Sequence, residues 1–166
     1  MEREPTHEAD SALPDPKPEY LPAGFDLFPD HPLRGVSQPL FRGEKPPGWS
    51  SETPFRSRQY VAGLIDGKVP GKTLGEEQQF LQEAPRIIVD VWAAASRPGF
   101  FDPLSNAGLS EIEVAGHRAW YGPGSVLHVL VVDRGEWVLQ VRAPGTVDRD
   151  DLIRIAGSVA LAQPDS

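Results

Sequence analysis

Between residues 126 and 132 the sequence reads Val126-Leu127-His128-Val129-Leu130-Val131-Val132, apolar at every position but one. That is the pattern of a strand buried on both faces. A short turn, Asp133-Arg134-Gly135, follows, and Trp137, Leu139 and Val141 then alternate with Glu136, Gln140 and Arg142. The pattern predicts a hairpin with a three-residue turn, in which Gly135 takes the left-handed conformation open to a residue without Cβ. Past Pro144-Gly145, Asp148 is placed to cap a helix that carries Asp150 and Asp151 at its positive dipole end. Leu152, Ile155, Ala156 and Val159 fall at i, i+3, i+4 and i+7 of that helix. Such a stripe has to be buried, and the sheet is the nearest apolar surface. These residues predict an antiparallel sheet under a closing helix, and they name no reaction.

Weaker signals extend the sheet toward the N-terminus. Tyr20 to Leu27 reads as a short edge strand or extended entry, and Arg58 to Gly63 as a strand. Glu76 to Glu83 reads as a turn or two of helix. Arg86 to Ala95 is a strand with Ile87, Val89, Val91 and Ala93 on one face and Asp90 and Trp92 on the other. Ile112 and Val114 alternate with Glu111 and Glu113, a half-exposed strand ending near Gly116. The expected fold is α+β: an antiparallel sheet of about six strands with a packed C-terminal helix. One domain is expected over residues 20–163, interrupted by an irregular proline-rich segment at 29–54.

Charge and proline are concentrated at the N-terminal end. Residues 1–54 hold 5 basic and 10 acidic side chains and 11 of the 18 prolines. Residues 1–19, with six acids and four prolines, therefore read as a disordered leader. The net charge of -8 argues against a nucleic-acid or anionic-membrane surface. With no cysteine there is no disulfide, thiol nucleophile or thiolate metal site. No apolar run reaches the roughly 18 residues that cross a bilayer. The polar start Met1-Glu2-Arg3-Glu4-Pro5 is no signal peptide. Met1 is the only methionine, as in a trimmed mature protein given a start codon, so the location expected is extracytoplasmic if a signal was removed and cytoplasmic otherwise.

The motifs that carry chemistry are few. Gly67-Lys68-Val69-Pro70-Gly71-Lys72-Thr73 resembles a phosphate loop, but its first glycine is one residue too close. The position with the right spacing is Asp66, whose carboxylate would repel phosphate, and Pro70 removes a cradling amide. A glycine-lysine surface turn is the plainer account. The four histidines, His7, His31, His117 and His128, show no metal-ligand spacing, so no metal or cofactor is expected. His128 reads as a buried residue hydrogen-bonded within the sheet. Asp90, an acid among apolar residues, reads as an edge or outward position. A small enzyme would have to be built from Asp90, His117 and the loop at 98–103. The aromatic residues Trp92, Phe100, Trp120 and Trp137 are the expected ligand-binding set, on a sheet face that a helix covers.

Two stretches carry a family resemblance. Tyr20-Leu21-Pro22-Ala23-Gly24-Phe25-Asp26-Leu27 resembles the leucine-proline-x-glycine-phenylalanine entry of an uncharacterised extracytoplasmic domain family. That family occurs in bacterial lipoproteins and at the outer end of anti-sigma-factor-like membrane proteins. The stretch from Ile112-Glu113-Val114-Ala115-Gly116-His117-Arg118-Ala119 through the hairpin to Leu152-Ile153-Arg154-Ile155-Ala156-Gly157-Ser158-Val159 is similar to its closing turn and helix. The resemblance implies a curved antiparallel sheet with a helix, outside the cytoplasmic membrane, and it transfers no catalytic residue. The chain departs from the family in having no lipidation cysteine and in its proline-rich insert. The function expected is a non-enzymatic binding or sensing domain for a protein, peptide or envelope component. The alternatives are a carrier holding an apolar ligand between sheet and helix, and the small enzyme above.

Overall fold

The computed structural model describes residues 13–28, 56–96, 99, 101–102, 104, 108–123 and 127–161. Its strands are β1 (Phe25–Leu27), β2 (Arg56–Ala62), β3 (Arg86–Ala93), β4 (Ser110–Val114), β5 (His117–Gly122), β6 (Leu127–Arg134) and β7 (Trp137–Pro144). Among the described residues two helices, α1 (Leu74–Glu83) and α2 (Arg149–Gly157), pack with them, and a 3-10 turn spans Ala94–Ser96. The strands form one open sheet in the order β1-β2-β3-β7-β6-β5-β4, antiparallel at every step. From β3 the chain moves to the far edge and returns through β4, β5 and β6, so that β7 closes beside β3.

The count is seven strands, not about six. The additional one is β5, joined to β4 by the two-residue turn Ala115-Gly116 with φ of 52° and 84°. The β6–β7 turn is also tighter than expected, since Arg134 pairs directly with Trp137. Gly135 (φ 79°) and Glu136 are the whole loop, and Asp133 Oδ1 accepts the Gly135 N–H at 3.0 Å. A positive φ at the first loop position only is the requirement of a II′ hairpin turn, whose twist matches that of the strands.

The alternation of side chains gives the sheet two buried faces. On the first, Ile87, Val89, Leu130, Val132, Leu139 and Val141 form the main core, and Leu152, Ile155 and Ala156 of α2 pack into it together with Val159, which the helical period placed on the helix but which lies past its end at Gly157. Asp148 caps that helix as expected, its Oδ1 accepting the Asp151 N–H at 2.8 Å. On the second face, Trp92, Trp120, Val131 and Val138 pack with Leu104, Phe101 and Leu109. There Gly122 is needed for space, because a Cβ would lie 2.9 Å from Leu109 Cγ. Helix α1 packs at the other end, where Leu81 joins Phe28, Val61 and Val69.

Residues 13–19, placed in a disordered leader by composition, are docked instead. Leu13 is buried, its carbonyl accepts from Arg56 at 2.9 Å, and Asp15 receives two bonds from Arg58 at 2.6 and 2.7 Å. The amides of Glu19 and Tyr20 both donate to Ser158 Oγ at 3.0 Å, and Tyr20 Oη donates to Asp151 at 3.0 Å. The segment thus ties β2 to the end of α2, using contacts 43 and more residues apart in sequence that composition does not register. The expectations for residues 1–12 and for the segment 29–54 lie outside the described residues.

Candidate functional site

The register sorts the sequence-selected residues by face. One cross-strand row runs Ser57–Asp90–Gln140–Val131–Trp120–Glu111. Asp90 therefore shares the second face with Trp92 and Trp120, although it is neither at an edge nor outward. It is 1% exposed, and its Oδ2 accepts from Arg142 at 2.9 Å and Gln140 at 3.2 Å. Arg142 and Gln140 come from the polar positions of β7, two residues apart, which is how an apparently lone acid acquires partners. Asp90 Oδ1 and Gln140 Oε1 are buried with no hydrogen bond.

His117 is elsewhere. It pairs with Val114 beside the outer turn and, three residues from Trp120, belongs to the opposite face. The structure does not bring Asp90 and His117 together. His128 is buried and receives its expected partner, Tyr121 Oη at 2.9 Å from Nδ1.

The four aromatic residues do not form one lining. Trp92 and Trp120 are 0% and 1% exposed, and Phe101 stacks on Trp120 with centroids 4.7 Å apart. They are packed core on the face away from α2. Trp137 is half-buried on the α2 side, opposite Ala93, because side chains of successive β7 residues point to opposite faces. Phe100 lies outside the described residues. Between sheet and helix, the space expected for an apolar ligand is occupied by Leu130, Val132, Leu139, Leu152 and Ile155, each 0–1% exposed.

The stretch resembling a phosphate loop is a surface turn followed by a helix cap. Asp66 and Gly67, with φ of 52° and 76°, turn the chain between bridged Ile65 and Lys68. Thr73 Oγ1 accepts the Glu76 N–H at 3.1 Å, and the Glu76 carboxylate accepts the Lys72 N–H at 2.7 Å. These amides are already occupied, and two acids, Glu76 and Glu77, stand in the first turn of α1. No cluster of three His, Asp or Glu able to hold a metal occurs among the described residues.

What the structure does expose is the outer edge of the sheet. β4 ends the strand order, with Ser110, Glu111 and Glu113 exposed. An open depression of about 390 Å³ runs along it, lined by Glu111, Ile112, Glu113, Gly116, His117 and Arg118. The two-residue turn makes Val114 and His117 a pair that exchanges both backbone bonds, and the alternation then gives Ile112 and Ser110 to β5 as well. The N–H and C=O groups of Glu111 and Glu113 face outward. Glu111 is held by Arg118 at 3.0 Å, and this ion pair raises the Arg118 pKa above its ordinary value. Arg118 also lies over the Trp120 ring, 4.9 Å from its centroid. Sequence reading found Glu111 and Glu113 as solvent-facing acids but missed the edge, since β5 was not recognised as their partner strand.

No protein-family model, curated protein or solved structure matches the chain. No helix among the described residues is long and apolar enough to cross a membrane.

Proposed function

We propose that this chain is a non-enzymatic binding or sensing domain that works outside the cytoplasmic membrane and engages a protein, peptide or envelope component at its surface. The observation that carries the reading is the open β4 edge. Among the described residues both faces of the central strands are packed with side chains, whereas no strand pairs with the outer side of β4, whose backbone donors and acceptors are open to a partner. The extracytoplasmic location rests on the resemblance of Tyr20–Leu27 and of the stretch 112–159 to envelope domains.

Two measurements test the reading. Protease added to intact spheroplasts of a producing cell should degrade the chain; survival until the membrane is lysed overturns the location. Amide spectra of the purified ¹⁵N-labelled chain, titrated with solubilised envelope proteins, peptides and glycan fragments, should shift over one contiguous patch. Spectra that stay unchanged throughout overturn the binding role.

A further inference from the structure

Building on that binding role, we infer that the β4 edge takes an extended segment of a partner protein whose Lys or Arg residues fall at alternate positions, added as an eighth strand. Three observations on this edge identify the occupant. The outward backbone groups belong to Glu111 and Glu113, so an added strand would bond to these two residues and place its own alternate residues opposite them. Their carboxylates lie on one face, two residues apart, so the partner's matching side chains also recur every second residue. Glu111 already shares Arg118, whereas Glu113, across from Arg118 in the register, is exposed and enters no ion pair among the described residues, so its carboxylate is available to a cation on an added strand.

The same charges disfavour pairing with the β4 edge of a second copy of the chain. In an antiparallel pairing of two β4 edges, the outward residues can meet only one another. Glu111 then opposes Glu113, or one of the two opposes its own copy, and like charges directly across a sheet are destabilising. The edge thereby favours a basic strand over another β4 edge. The net charge of -8 favours the same partner at longer range.

The test uses the full ¹⁵N-labelled chain and two blocked heptapeptides, Ser-Lys-Val-Lys-Val-Lys-Ser and its counterpart with glutamate at each lysine position. The lysine peptide should bind saturably, shifting amides of residues 110–116, and the glutamate peptide should bind at least tenfold more weakly. Glu113→Lys should weaken the lysine peptide tenfold or more, and Glu113→Gln by a smaller factor. Glu113→Pro deletes an outward N–H that the β4–β5 ladder does not use and should likewise abolish binding. Unchanged Ala119 and Val132 amides verify its fold, and the Glu113→Lys result stands alone if that variant fails to fold. Equal binding by Glu113→Lys, equal binding of the two peptides, shifts centred away from 110–116, or no binding of the lysine peptide overturns the inference. If envelope components shift another surface, the binding role survives without it; if nothing in either titration binds, both fall.

Discussion

Asp90 sets a carboxylate in the middle of a seven-stranded sheet, 1% exposed, with a guanidinium 2.9 Å away. Taking both ions out of water costs several kcal/mol each, which their attraction only about offsets. The pair is therefore poor evidence of net stability but a strong constraint on what can be removed. Asp90→Ala should cost about 1 to 3 kcal/mol in denaturant unfolding, because it removes the buried carboxylate to which both Gln140 and Arg142 donate. Replacing the two together, Asp90→Leu with Arg142→Met, should cost well under the sum of the single changes. Additive losses would show that the two side chains do not act as a pair. The acid itself was legible in the sequence. Its burial was not, because the partners Gln140 and Arg142 lie 50 and 52 residues away and become neighbours only through the β3–β7 register.

Among the elements, those with local signals were the readable ones. The α2 stripe and its Asp148 cap follow from the helical period and a side chain that reaches an amide three residues on; the cap and the stripe residues Leu152, Ile155 and Ala156 occur as expected, while Val159 is buried just past the helix end. Ile155→Ala should lower stability by roughly 2 to 4 kcal/mol, since the side chain is fully buried against the main core. A loss below about 1 kcal/mol would mean that α2 is not the lid of that face. β5 was missed because Ala115-Gly116 lacks the Asn-Gly or Asp-Gly signal of a type I′ turn, although Ala115 adopts φ 52° there. The docked segment 13–20 was hidden by its prolines, and its hold is partly electrostatic. The Arg58 hydrogen bond is the main cause holding the Asp15 carboxyl below its ordinary value of 3.8. A depressed acid pKa stabilises fully above the unfolded value and loses that contribution as pH falls through the folded one. Both side chains are partly solvated, so screening holds the effect under about 1 kcal/mol. As pH falls below 3.8 and through the lower folded value of Asp15, the Arg58 side-chain protons should lose their protection in wild type, and Asp15→Asn should remove that pH dependence. A pH-independent Arg58 signal in wild type would contradict the ion pair.

At the scale of the whole molecule, the described residues form one sheet whose central strands are buried on both faces and whose β4 edge no described strand covers. Buried faces account for the near-continuous apolar runs in β3, β6 and β7, which are the central strands. The candidate site was legible only in part. The exposed face of Glu111 and Glu113 was legible in the sequence as one side of a half-exposed strand, whereas its position at the end of the strand order is a property of topology. The aromatic residues drew attention by composition, yet the sheet divides them, with Trp92 and Trp120 on one face and Trp137 on the other.

Amide hydrogen exchange along β4 in the free chain is the most direct measurement of an open edge. The amides of Ile112 and Val114, bonded to β5, should exchange slowly, and those of Glu111 and Glu113 should exchange at rates near those of an exposed peptide. Uniform protection across all four would show that the edge is covered, and the binding account built on it would be contradicted.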